Sequence, residues 1–235
     1  MSLINNAVIL AAGRGQRMTP LTDDLPKPMA PYNGSTLIAE GITRVIARIE
    51  KVHVTVGYKK AMLAEHVIKH GACSVFNTDG HSNSWWIYNT PLKYLNEPVC
   101  VLTCDNVVDV DFDLLGEDYL KLGQPACMIV PVLPVRGLEG DYIFHKGAIV
   151  TRLDRHEPSD IYCSGIQVLN PSRINELTRD EGDFYSVWKQ LIEHKQLCVS
   201  SVYPKKWFAV DTLEQLMLLH TADQSTSPTP SSFDR

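Results

Sequence analysis

Ala7-Val8-Ile9-Leu10-Ala11-Ala12-Gly13-Arg14-Gly15-Gln16-Arg17-Met18, continuing through Thr19 to Lys27-Pro28, is the stretch that decides the fold. A short apolar run that ends in small residues and glycine predicts a buried parallel strand followed by a tight loop. Ala11, Ala12, Gly13 and Gly15 keep bulk away from that loop, so backbone N–H groups can face a bound anion. Arg14, Arg17 and Lys27 add positive charge where phosphate oxygens would sit. The combination predicts a nucleoside triphosphate site.

Two familiar glycine loops do not fit. A dinucleotide fingerprint needs a third glycine three residues after Gly15, where Met18 stands. A P-loop needs Gly-Lys-Ser/Thr opening a helix, which is missing. The longer string Leu-Ala-Ala-Gly-x-Gly-x-Arg-Met, then Pro20-Leu21-Thr22, then Pro26-Lys27-Pro28, resembles the signature of the sugar-phosphate nucleotidyltransferases. The resemblance implies a single Rossmann-like domain of GT-A type. Its central sheet should be mostly parallel, flanked by helices, with a small additional antiparallel β region.

Composition sets the bounds of that reading. The 235 residues suit one α/β domain, and 44% hydrophobic content is that of an ordinary globule. A net charge of −5 argues against nucleic acid as partner, so positive charge must be concentrated in the opening loop. No apolar run approaches the roughly 20 residues of a membrane span, and no signal core is expected at the N-terminus. Six cysteines without a Cys-x-x-Cys pair read as buried free thiols, which points to the cytoplasm.

Along the chain, Asn33-Gly34 marks a turn and Ser35 is expected to cap a helix over residues 36–48. Strands are expected at 52–56, 73–76, 98–103 and 126–132, alternating with helices at 62–70, 85–95 and 112–122. Three short strands follow at 142–145, 148–153 and 161–169. A helix at 184–194, strands at 197–203 and 207–210, and a last helix at 212–220 complete the domain over residues 1–222. The Ser/Pro/Thr-rich stretch 223–235 is expected to be disordered. The 98–103 strand delivers Asp105 to the same sheet rim as the Gly13–Gly15 loop, because ligands of open α/β sheets gather at the carboxyl ends of strands.

Joining a nucleotide to a phosphorylated acceptor is an in-line displacement at the α-phosphorus, with pyrophosphate leaving. An acceptor phosphate is ionised at neutral pH, so the protein needs cations, a divalent metal and carboxylates to hold it rather than a nucleophilic side chain. Lys27 is the candidate for stabilising the transition state at the α-phosphate. The resemblance assigns Arg17 to the leaving pyrophosphate, and backbone at Leu10, Ala11, Ala12 and Gly13 to base and ribose, with Arg14, Gly15 and Thr103 beside them. Asp105 and Asp211 are the candidate Mg²⁺ ligands, the second by resemblance to the family's strand–Asp–helix element. Both could instead cap the helices expected after them.

Two departures bear on the substrates. A Gly-rich segment usual in sugar-activating relatives is replaced by His81-Ser82-Asn83-Ser84-Trp85-Trp86-Ile87-Tyr88, which is similar to phosphocholine cytidylyltransferases and related enzymes of small phosphorylated amines or phosphonates. Asn83 and Ser84 would then read a pyrimidine edge. Trp85, Trp86 or Tyr88 would stack on the base or face an ammonium, unless Trp85, Tyr88 and Leu92 simply bury one helix face. The family's Lys-Pro for the acceptor phosphate is absent, and Arg155 is its candidate substitute. The Ser164-Gly165-Ile166 region resembles small uridylyltransferases of amino-sugar 1-phosphates, which brings Gly165 to the acceptor. The expectation is therefore transfer from CTP or UTP, with Mg²⁺, to a sugar 1-phosphate or a small phosphorylated amine or phosphonate. A non-catalytic nucleotide-binding regulatory module of the same fold is the alternative, and oligomeric state is not legible.

Overall fold

The computed structural model describes residues 3–135 and 140–226, with side chains described up to residue 221. Its strands are β1 (Asn6–Ala11), β2 (Pro31–Tyr32), β3 (Ser35–Thr36), β4 (Lys51–Val56), β5 (Ser74–Asn77), β6 (Val99–Thr103), β7 (Asn106–Asp109), β8 (Cys127–Val132), β9 (Tyr142–Lys146), β10 (Ile149–Asp154), β11 (Tyr162–Leu169), β12 (Leu197–Val199) and β13 (Lys206–Ala209). The helices are α1 (Leu21–Asp24), α2 (Leu37–Ile46), α3 (Lys60–Lys69), α4 (Trp85–Asn89), α5 (Phe112–Lys121), α6 (Pro171–Leu177), α7 (Phe184–Glu193) and α8 (Leu213–Thr226).

Nine strands form one sheet in the order β5-β4-β1-β6-β11-β8-β12-β10-β9. β5, β4, β1 and β6 pair in parallel; β11 and β10 alone run against the rest, so the sheet is mostly parallel with its antiparallel pairings on one side. β1 lies inside and is covered on both faces, as its continuous apolar run requires. Ala7, Ile9 and Ala11 point to a core shared with Ile38, Ile42 and Val45 of α2, Leu63 and Val67 of α3, and Leu115 and Tyr119 of α5. Val8 points the other way, to Trp86 and Ile87 of α4 and Val187, Trp188 and Leu191 of α7.

The register places Leu10 level with Thr55 on one side and Thr103 on the other. The loops leaving β1, β4 and β6 therefore emerge along one rim, as the sequence implied. A third, smaller core of Met18, Ala30, Tyr32, Leu37, Val107, Val210, Leu216 and Leu219 lies under that rim and packs α8 against the loop and the β2–β3 hairpin.

Several local expectations change. Thr36, not Ser35, caps α2: its Oγ1 accepts from Ala39 N at 3.2 Å, while Ser35 pairs in the hairpin. Residues 85–95 divide into α4 and a 3-10 turn at Pro91–Tyr94, because Pro91 cannot continue the helical hydrogen-bond pattern. The strand expected over 197–203 stops at Val199. There Ser200 and Ser201 turn to the Asp118 carboxylate, donating from Ser200 Oγ (2.6 Å), Ser201 N (2.8 Å) and Ser201 Oγ (2.8 Å). α6 was not expected, and neither was β7. α8 runs to Thr226, into the stretch expected to be disordered, while 227–235 lie outside the described residues.

The six cysteines are free, and Cys73 is exposed rather than buried. Among the described residues no helix is long and apolar enough to cross a membrane.

Candidate active site

The glycine loop is fixed from below before any ligand is considered. Ala11 N donates to Thr55 Oγ1 (3.2 Å), and Ala12 O accepts from Tyr58 N (3.1 Å). That second contact requires Gly57, since a Cβ there would stand 2.5 Å from Ala12 O. Gly13 is exposed, and beyond its chain neighbours no atom of the described residues lies within 4 Å of where its Cβ would lie, so its outer side is open to a ligand.

Gly15 serves a different need. Its φ of +69° is left-handed backbone, and a Cβ would meet the Lys27 stem at 2.5 Å from Cβ and 2.8 Å from Cδ. The second glycine thus makes room for the lysine that follows it by twelve residues. A 3-10 turn at Gln16–Met18 buries Met18 and leaves Arg17 exposed; Arg14 is exposed too.

Lys27 begins a 3-10 turn after Pro26 and is 8% exposed. Its Nζ donates to Asp105 Oδ2 at 2.7 Å and to Asp211 Oδ1 at 2.8 Å. Arg17 reaches the same Asp211 oxygen at 3.0 Å. Burial pulls the Lys27 pKa down, but attraction to Asp105 and hydrogen bonds to Asp105 and Asp211 outweigh it, so the ammonium titrates above its ordinary range.

Two residues 106 positions apart meet here because β7 and β13 pair antiparallel, with Asn106 opposite Ala209 and Trp207 opposite Val108. Val210 N then donates to Asp105 O at 2.9 Å, locking one aspartate's backbone to the residue before the other. Neither carboxylate caps a helix. Asp105 leads into β7, and the start of α8 is capped by Thr212 and Gln215. Thr212 Oγ1 accepts from Gln215 N (3.2 Å), and Gln215 Oε1 accepts from Asp211 N (2.6 Å) and Thr212 N (3.0 Å).

The donor set fits a hard divalent cation. Asp105 Oδ1 and Asp211 Oδ2 take no protein hydrogen bond among the described residues, and the two side chains are 28% and 26% exposed. No group of three or more His, Cys, Asp or Glu forms among the described residues. An octahedral ion that takes one or two carboxylates and fills its other positions with phosphate and water needs no such group.

Other expected site residues are placed differently. Trp86 is fully buried in the core, and its Nε1 has no hydrogen-bond partner among the described residues. Ser84 is also fully buried and donates to Gly182 O at 2.5 Å. Neither faces solvent, which corrects their assignment to acceptor and base. Asn83 Oδ1 accepts from Phe184 N (3.0 Å) at the start of α7, and the Tyr88 hydroxyl bonds Thr178 Oγ1 (2.7 Å). The 82–88 segment is chiefly a clasp between α4 and the α6–α7 turn. Trp85 stacks on His81 with ring centroids 4.2 Å apart and stays partly exposed.

Arg155 pairs with Asp141 (2.9 Å) and lies over the Tyr185 ring, making no contact with Lys27, Asp105 or Asp211. Gly165 (φ +85°) interrupts the β11–β8 pairing, and a Cβ there would stand 2.9 Å from Asn106 Nδ2 and 3.4 Å from Thr103 Oγ1. Gly165 and Thr103 thus border the Asp105 turn, and Thr103 Oγ1 is buried without a hydrogen-bond partner among the described residues. Asn106 and Trp207 had no role assigned from the sequence; both donate to Ser164 O at 2.8 Å and brace the floor beneath the aspartates. The Thr-x-x-Gln pattern at 212–215 was the one available sign of the cap that holds Asp211.

Residues 6–124, just over half of the chain, match the family model described as nucleotidyl transferase. The chain belongs to that family. Within the nucleotidyl transferases it is 38% identical over 116 residues to the bifunctional protein GlmU of Methanococcus aeolicus, a match spanning 49% of this chain and 28% of the relative. It thus spans only about a quarter of the length of the relatives of that name. A shorter match, 46% over 56 residues and 23% of each chain, links it to a 2-aminoethylphosphonate cytidylyltransferase of Lancefieldella rimae. Over 92% of this chain and 98% of the other it shares the fold of a CTP:phosphocholine cytidylyltransferase from Streptococcus pneumoniae (TM-score 0.74, 20% identity).

Proposed function

We propose that this nucleotidyl transferase moves a nucleoside monophosphate from CTP or UTP to a small phosphorylated or phosphonate acceptor and releases pyrophosphate. The observation that carries the reading is the convergence of Lys27, Arg17, Asp105 and Asp211 on one point at the rim beside the open face of Gly13.

An acceptor phosphate oxygen attacks the α-phosphorus as the bond to the pyrophosphate oxygen breaks, so charge builds on oxygens at both ends. Lys27, already protonated and held by two carboxylates, offers a preorganised cation to those oxygens at no cost of reorganisation. Arg17, exposed and tied by one contact, is free to follow the departing pyrophosphate. The open side of Gly13 admits the nucleotide, with Thr103 beside it, and Gly165 borders the acceptor side. Asp105 and Asp211 would hold Mg²⁺, which would supply further positive charge to the reacting phosphates.

Similarity to an aminoethylphosphonate cytidylyltransferase favours CTP and a small aminated acceptor. Trp85, partly exposed and stacked on His81, is the candidate aromatic for such a group. A screen of CTP, UTP, ATP and GTP against aminoethylphosphonate, phosphocholine and sugar 1-phosphates, with and without Mg²⁺, tests this. Pyrophosphate is expected from a pyrimidine triphosphate with at least one acceptor. Nucleotide binding without pyrophosphate from any pair would favour a regulatory module instead.

A further inference from the structure

Tyr58 follows Gly57 at the end of β4 and reaches both ends of the glycine loop, the first directly and the second through Thr22. Its N–H donates to Ala12 O (3.1 Å) and its hydroxyl to Thr22 O (3.0 Å). Thr22, almost fully buried, returns to the loop by donating from Oγ1 to Gly15 O (3.1 Å). The ring of Tyr58 also carries cations: the Arg14 guanidinium carbon lies 5.2 Å from its centroid, and Lys59 Nζ 5.6 Å. Lys59 stands in left-handed backbone at φ +49°, the turn by which the chain leaves Tyr58 for α3. The sequence offered no reason to single out Tyr58.

An exposed arginine ordinarily loses side-chain freedom when it binds a phosphate. One resting on an aromatic face has lost part of that freedom beforehand, and keeps its charge at the loop. We propose that Tyr58 is a positioning residue of the nucleotide site: it fixes both ends of the Gly13–Gly15 loop and holds Arg14 ready for the triphosphate. The proposal rests on the nucleotide reading of that loop. Tyr58 acts through Arg14 and the backbone, so its loss acts on nucleotide affinity rather than on the chemical step.

The test measures dissociation constants of CTP and UTP by equilibrium dialysis without acceptor, beside kcat, KM and melting curves. Tyr58→Leu and Tyr58→Met remove both ring and hydroxyl; each is expected to weaken nucleotide binding about 5–20-fold and raise KM, with kcat within about twofold. Tyr58→Phe keeps the ring and loses only the Thr22 tie, so about 2–4-fold is expected. Arg14→Met weakens binding too, and adding Tyr58→Leu to it costs only the about 2–4-fold of the Thr22 tie, because the ring–guanidinium contact is already gone. Effects that multiply in the double variant, a Tyr58→Phe loss as large as that of Tyr58→Leu, or a fall in kcat at unchanged KM would overturn the proposal. If the wild-type protein binds neither CTP nor UTP, the nucleotide reading fails and this one with it. Binding by the wild type with multiplicative variants removes the role of Tyr58 alone.

Discussion

Replacing Gly15 by alanine tests how the loop and the central lysine depend on one another. Left-handed backbone at φ +69° costs an L-residue about 1–2 kcal/mol. The new Cβ would also lie 2.5 Å from Lys27 Cβ, 2.8 Å from Cδ and 3.0 Å from Cγ. Lys27 is 8% exposed and anchored through Nζ to two carboxylates, so its stem has little room to retreat. Overpacking of such a site costs about 1–3 kcal/mol further, unless the loop shifts and carries Nζ off its partners. A displacement of about 1 Å at a catalytic group lowers turnover on the order of 10²-fold. The expected result for Gly15→Ala is therefore a loss of about 2–5 kcal/mol in urea unfolding, or a fall of about 10² in pyrophosphate release, or part of each. Gly13→Ala is the control for stability, with open space where its Cβ would go and an unfolding free energy expected within about 0.5 kcal/mol of wild type. A Gly15→Ala protein with wild-type stability and turnover would refute the packing argument.

Three other expectations follow from the geometry. Gln215→Ala removes the acceptor for Asp211 N and Thr212 N; about 1 kcal/mol of stability is expected to go, with kcat falling more than nucleotide affinity as Asp211 loosens. Trp86→Ala empties a fully buried site and should cost about 3–5 kcal/mol, while the milder Trp86→Phe leaves acceptor KM unchanged in steady-state assays. His53 is buried between Asn6 and Ser74, and burial, helped by Lys51, holds its pKa below the ordinary value. The folded state therefore resists protonation: stability is full above about pH 6.5 and falls as pH drops toward the lower folded pKa. His66, lowered by burial and by His70 and Lys69, adds to the same slope, so His53→Gln should reduce but not abolish it in acid urea titrations.

The parts of the molecule that were legible in the sequence are those encoded over short distances. The first strand announced itself by an unbroken apolar run, and the loop by its glycines and arginines. Asp105 was legible because a strand end places whatever follows it at the ligand rim. Long-range consequences were not legible. That Gly15 yields space to Lys27 depends on a contact across twelve residues. The ladder joining Asn106–Asp109 to Lys206–Ala209 unites two four-residue strands a hundred positions apart, too short for periodicity to announce. The different placement of the two tryptophans was not legible for a related reason. α4 has five residues, so sequence spacing could not say that Trp86 would face the core and Trp85 the surface.

Lys27 is where the account is most exposed to a single measurement: pyrophosphate release by wild type and Lys27→Met, with nucleotide affinity determined in parallel. The account predicts that Lys27→Met keeps its fold, binds nucleotide within about tenfold and loses about 10²–10³ in turnover. Full turnover by a folded Lys27→Met protein would contradict it.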